Sequence, residues 1–206
     1  MLVIDATARA RSRASLLLVF ALFAAPVVSA WLLFFVFPDW VPTVTTNHGE
    51  LIQPVRPLPA FQLAGLSGDE VDDSFLQGKW TFIYLHRGRC DKDCIQQLYK
   101  IRQVRLTQGK NIGRLQRLML WEAGAVDTAA RQELQRHFPG QTIALLPNVD
   151  VPPIQLFSVD ASSPFDSDSI YLVDPAGNLM MRYAPDQEPR GMIEDLERLL
   201  KYSGLG

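Results

Sequence analysis

Cysteine, histidine and surplus positive charge are what this sequence has least of. Twenty Lys and Arg stand against 22 Asp and Glu, a net charge of −2. No cationic excess is left to neutralise a polyphosphate backbone, and no basic stripe with interleaved aromatics occurs, which argues against nucleic acid as a partner. The chain has three histidines, His48, His86 and His137, and two cysteines, Cys90 and Cys94. Internal repeats and low-complexity blocks are absent as well. One stretch lacks charge altogether, the 23 residues Ser15–Phe37.

That uncharged run is long enough to cross roughly 30 Å of hydrocarbon as a helix with some tilt. Arg9, Arg11 and Arg13 precede it; Asp39 follows it, and no Lys or Arg appears again until Arg56. This asymmetry predicts a cytoplasmic amino terminus, an external remainder and contact with membrane lipid through residues 15–37. Trp31, Trp40 and Phe34–Phe37 suit an interfacial belt on the far side. Val28-Ser29-Ala30 offers a peptidase small residues, but the apolar run continues through Trp31–Phe37, so an uncleaved anchor is expected.

Beyond the anchor, about 160 residues suffice for one domain with a real core. Five prolines between Pro38 and Pro59 predict an extended tether over 38–57. In the domain, over 58–206, Phe61–Leu63 reads as a short strand and Trp80–Leu85 as a buried one. Apolar side chains at helical spacing run from Ile95 to about Leu106, Arg117–Trp121 is a second buried strand, and Thr128–Phe138 an amphipathic helix ended by Pro139-Gly140. Strand, helix, strand, helix in that order predicts an α/β domain with parallel pairing through right-handed crossovers. Four prolines in Gly140–Asp168 leave room only for a short helical turn near Ile154–Ser158. Ser169–Val173 and Leu179–Tyr183 flank the turn residues Asp174–Asn178 as a hairpin, and Met192–Tyr202 closes the chain as a helix with Gly204 past its end.

Both cysteines fall just after the buried strand, at the carboxyl end where open α/β sheets hold their working groups. Four positions apart on a helix, their Cα atoms would lie roughly 6 Å from each other, within reach of a disulfide. A helix amino terminus stabilises a thiolate, and Arg87, Arg89 and Lys92 add positive charge that Asp91 and Asp93 oppose. Such a pair can exchange with another disulfide, hold a soft metal such as Cu(I), or serve as a structural disulfide. His48, in the tether, and His137, at a helix end, read as solvated bystanders. His86, at the end of the strand, is either a low-ranking metal ligand or a side chain bonded to a neighbouring carbonyl.

Several motifs now stand in order: Leu58-Pro59-Ala60-Phe61-Gln62-Leu63, Gly78-Lys79 before the apolar strand, Cys90-x-x-x-Cys94, and Tyr171-Leu172-Val173-Asp174-Pro175-Ala176-Gly177. With them the chain, from Leu58 onward, resembles the Sco/SenC group of membrane-anchored proteins that assist copper insertion into cytochrome c oxidase. The resemblance implies a thioredoxin-like fold, Cys90 and Cys94 as the redox or copper pair, copper as cofactor, a cytochrome c oxidase subunit or other assembly factors as partners, and a periplasmic domain on a bacterial-type inner membrane. The sequence also departs from that group. Asp166 stands where its third copper ligand, a histidine, is expected, and Asp91-Lys92 replaces a proline-containing step in the cysteine motif. A hard carboxylate is a poor substitute for imidazole on Cu(I). The alternative is a general thiol-disulfide oxidoreductase or thiol peroxidase of the same fold. Such enzymes usually show a two-residue gap between cysteines and a proline before the later strand, whereas here the gap is three and Ser169-Ile170 has no proline ahead of it.

Overall fold

The computed structural model describes residues 6–37, 46–126, 128–147, 152–159 and 163–202. Asp39, Trp40, the tether over 38–45 and Gly204 lie outside the described residues. The chain divides into two units, residues 1–46 and 47–206.

Among the described residues the first unit contains one helix, α1 (Ala6–Phe35), with Pro26 inside it. Its segment Ser15–Phe35 has a mean hydropathy of 2.5 over 21 residues, about 31 Å at 1.5 Å per residue. It is therefore long and apolar enough to cross a membrane.

The second unit is built on an eight-stranded mixed sheet. Its strands are β1 (Glu50–Pro57), β2 (Gln62–Gly65), β3 (Glu70–Asp72), β4 (Trp80–His86), β5 (Leu115–Glu122), β6 (Thr142–Leu146), β7 (Ile170–Val173) and β8 (Asn178–Tyr183). They lie in the order β1-β8-β7-β4-β5-β6-β2-β3. β4, β5 and β6 run parallel, while β7 pairs with β4 antiparallel. The helices of this unit are α2 (Lys92–Thr107), α3 (Thr128–His137), the one-turn α4 (Pro152–Gln155) and α5 (Pro189–Tyr202).

Every residue of β4 is buried, because both faces of this central strand are covered. The pleat sends Trp80, Phe82 and Tyr84 into one core with Cys94, Leu98 and Ile101 of α2 and Leu196 of α5. Ile83 and Leu85 enter the other core with Leu118, Phe157 and Tyr171. Side chains of this size contribute roughly 1.5–3 kcal/mol each by burial, which fixes the height at which β4 ends and α2 begins.

Two expectations need correction. The proline-rich stretch is not tether throughout, because Glu50–Pro57 is a strand paired antiparallel with β8 and Ile52 is buried within it. Pro54 and Pro57 are tolerated there because an edge strand needs no donor on its outer side. Gly140–Asp168 also holds more than a helical turn: Thr142–Leu146 is an inner strand between β5 and β2, ending just before Pro147.

His48 is solvated, with its side chain 39% exposed, but it is no bystander. Its backbone N–H donates to both carboxylate oxygens of the buried Asp195, at 3.0 and 2.9 Å, and Gly49 N–H donates to the same group at 2.9 Å. The His48 ring meets Asp195 through Nδ1 at 3.2 Å and Glu194 through Nε2 at 3.5 Å. It lies against Gly191, where an added Cβ would come within 2.8 Å of the His48 side chain. The root of the domain is thus clasped to α5 by one carboxylate. Asp195→Ala, which leaves two backbone donors unpaired, is expected to lower stability by about 2 kcal/mol. Urea denaturation checks the loss, and faster amide exchange at His48 and Gly49 locates it.

Candidate functional site

The strand β4 delivers the chain to its carboxyl end at His86, and α2 starts six residues later. Asp91 is the N-cap of α2 and accepts from the N–H groups of Asp93 and Cys94, at 3.1 and 3.2 Å. Cys94 therefore lies in the first turn, while Cys90 precedes the cap and is not helical. This corrects the expectation that both cysteines share one helical face. They form a disulfide with a Cα–Cα distance of 5.2 Å. Cys94 is fully buried in the α2-side core, whereas Cys90 is half-buried at its margin.

The N-cap changes the electrostatics read from the sequence. The first-turn donors that would otherwise stabilise a thiolate are partly occupied by the Asp91 carboxylate, so the helix end supports a sulfur anion less than its position alone implies. Arg89 and Lys92 are exposed nearby. Arg87 is engaged: its guanidinium forms an ion pair with Asp166 across the gap to the turn before β7.

Below the Cys90 turn sits a group of side chains. His86 Nε2 donates to the Arg89 carbonyl at 3.0 Å, which makes this the bond to a neighbouring carbonyl. Its Nδ1 lies 3.3 Å from Tyr84 Oη and 3.9 Å from Asp168 Oδ1. The two rings stack with centroids 5.8 Å apart. Tyr84 Oη donates to Asp168 Oδ1 at 2.7 Å. Burial, reinforced by that hydrogen bond, pushes the Tyr84 phenol well above its usual range, so it stays a neutral donor. Asp168 occupies the left-handed region, φ 45°, a conformation uncommon outside glycine. From the neighbouring strand Trp121 Nε1 donates to the Gly88 carbonyl at 2.8 Å.

Of the residues singled out from the sequence, Cys90 and Cys94 come together and His86 lies directly beneath their turn. Asp166 is held by Arg87. His137 is exposed at the end of α3. Sequence reasoning missed Tyr84, Asp168 and Trp121. Tyr84 was legible as the residue two before His86 on the same face of a strand, but nothing local marked the other two, which arrive from β5 and from the turn before β7.

The donor set does not fit a closed three-ligand copper site. Two sulfurs are joined to each other, one ring nitrogen of His86 is committed to a carbonyl, and the Asp166 carboxylate is paired with a guanidinium. No group of three or more His, Cys, Asp and Glu side chains is arranged to hold a metal ion among the described residues. An apolar cavity of about 240 Å³ does exist, lined by Phe61, Leu63, Ile83, Leu120, Ile154 and Phe157. It lies on the sheet face away from α2, so the sheet separates it from the disulfide.

No curated protein matches the sequence. In structure the chain is similar to ScoI of Bradyrhizobium japonicum with copper bound, at 23% identity, covering 68% of this chain and 97% of that one, with a TM-score of 0.53. It is similar to yeast Sco1 with copper bound, at 21% identity, 73% and 96% coverage and a TM-score of 0.59. A third similar structure is BsSco, described as having a disulfide switch and as a member of the Sco family of cytochrome c oxidase assembly proteins. There the identity is 12%, the coverage 73% and 96%, and the TM-score 0.56. Likeness at these identities establishes the thioredoxin-like fold. The family described as transmembrane-like, thioredoxin-like, C-terminal domain matches residues 80–203, the stretch from β4 to α5 that carries the disulfide, and the chain belongs to that family.

Proposed function

We propose that this protein is a membrane-anchored thiol-disulfide factor of Sco-like type, acting at the outer face of a bacterial-type inner membrane on the cysteines of a cytochrome c oxidase subunit or of another assembly factor. The observation that carries this reading is the Cys90–Cys94 disulfide at the β4–α2 junction, which links a half-buried sulfur to a fully buried one. That asymmetry suits exchange: the outer sulfur meets a client, and the inner one resolves the mixed disulfide. The residues 15–37 anchor the chain, and Arg9, Arg11 and Arg13 support a cytoplasmic amino terminus with a periplasmic domain. The pairing of Asp166 with Arg87 leaves the sulfurs without an evident third donor, which favours thiol chemistry over metal storage.

The test uses a membrane-impermeant maleimide on intact cells with the outer membrane permeabilised. The expected result is no adduct on the oxidised chain and, after mild reduction, two adducts per chain, a fast one at Cys90 and a slower one at the buried Cys94. Labelling that appears only after lysis would place the domain on the cytoplasmic side. A pair that stays unlabelled after reduction under native conditions would make the disulfide a structural one.

A further inference from the structure

We infer that Trp121 and His86 are positioning residues for Cys90 and that together they set the dithiol–disulfide equilibrium of the pair, an inference that rests on the thiol-disulfide function proposed above. The two residues are register partners on adjacent parallel strands, the last paired positions before β4 ends. Each sends a ring N–H to the turn: Trp121 to the Gly88 carbonyl at 2.8 Å and His86 to the Arg89 carbonyl at 3.0 Å. These are the two consecutive carbonyls immediately before Cys90. Gly88 has a φ of +81°, which L side chains rarely adopt.

The donors are themselves held. Trp121 is fully buried and His86 is 8% exposed. His86 is stacked on Tyr84, whose hydroxyl is fastened to Asp168. A turn at a domain surface can satisfy its carbonyls with water; here two rigid strand side chains do so instead, which fixes the path of the chain into Cys90.

The consequence differs between the two redox states. In the disulfide the covalent bond already keeps Cys90 beside Cys94. In the dithiol that tie is gone, and the two carbonyl bonds are what hold the Cys90 thiol near its partner. They raise the effective concentration of one sulfur at the other and so favour closure. With glutathione as the exchange partner, Cys90 and Cys94 lose one hydrogen each as the S–S bond forms. One glutathione disulfide takes up those two hydrogens, as two protons and two electrons, its S–S bond breaks, and it leaves as two thiols. Loosening the turn gives the dithiol freedom that the disulfide does not gain, and the equilibrium moves toward the dithiol.

The experiment takes the full-length chain in detergent micelles, equilibrated in glutathione buffers, with the oxidised fraction read by alkylation and mass. One variant carries the benzothiophene isostere of the Trp121 indole, which keeps the shape and deletes the N–H; the other is His86→Leu. Each is expected to shift the equilibrium about fivefold toward the dithiol, a potential roughly 20 mV less negative. His86→Gln, whose amide still donates, is expected to recover part of the shift. Phe157→Leu, on the opposite face of the sheet, is expected to lower stability and leave the equilibrium unchanged, which separates positioning from general destabilisation. A reducible pair whose equilibrium stays within twofold in both donor-deleting variants overturns this inference and leaves the proposed function standing. A pair that glutathione cannot reduce in the unmodified chain overturns both.

Discussion

With Cys94 replaced by serine, the remaining Cys90 thiol is expected to react with a small maleimide faster than the Cys94 thiol of the Cys90→Ser chain by on the order of 100-fold. The reason is access. Cys94 has no exposed surface and packs in the α2-side core, so its sulfur meets a reagent only when the first turn of α2 opens. Cys90 precedes the Asp91 cap, in a turn that faces outward. Thiol-disulfide exchange through this pair would begin with Cys90 attacking one sulfur of a client disulfide and displacing the other as a thiolate. Cys94 would then attack the Cys90 sulfur, closing the internal disulfide and releasing the second client sulfur. The Cys94→Ser chain lacks the second step and should accumulate the mixed disulfide, which non-reducing electrophoresis of membranes would reveal. Equal alkylation rates for the two single-cysteine chains, or an absence of mixed disulfide from Cys94→Ser, would remove the division of roles.

Asp166→His is expected to raise Cu(I) affinity of the reduced chain by about tenfold or more, a gain of roughly 1.4 kcal/mol or above. Two thiolates can bind Cu(I) in near-linear fashion, but a third soft or borderline donor normally closes such a site and sets its affinity. In this chain the corresponding position holds a hard carboxylate already paired with Arg87. The substitution supplies a neutral imidazole and releases Arg87 from its ion pair. That pair is exposed at both ends and contributes little stability, so the fold should tolerate the change. His86→Ala should lower Cu(I) affinity by no more than about fivefold, the effect of loosening the turn before Cys90, since its Nε2 is committed to the Arg89 carbonyl and not to the metal. Competition against a chromophoric Cu(I) chelator under anaerobic conditions measures both variants. If the unmodified reduced chain already binds one Cu(I) as tightly as Asp166→His, and His86→Ala abolishes that binding, then His86 is the missing ligand and the redox-only reading is wrong.

Much of this is legible in the sequence, and the parts that are share a physical cause. An uncharged run of 23 residues, a six-residue apolar strand and the 3.6-residue spacing of Leu98, Ile101 and Val104 are local patterns imposed by solvents or packing layers that act on every residue in turn. The position of the cysteines followed from them: once Trp80–Leu85 was a buried strand, Cys90 and Cys94 had to lie beyond its carboxyl end.

What only the tertiary structure decided is where a short segment finds a partner distant in sequence. Glu50–Pro57 has the composition of a tether and becomes a strand because the outer edge of β8 supplies its hydrogen bonds. Thr142–Leu146 becomes an inner strand because β5 and β2 flank it. His48 looks unpartnered until α5 brings Asp195 to it, 147 positions away. The site shows the same division: the cysteines were visible as a pair and the His86 bond to a carbonyl three residues on was one reading of that histidine, but the Trp121 bond to Gly88, the Asp168 acceptor beneath the turn and the Arg87 pairing of Asp166 each join segments whose meeting no local period encodes. Chain neighbours reveal propensity and periodicity, whereas the pairing of buried donors and acceptors is settled only when the sheet sets their register.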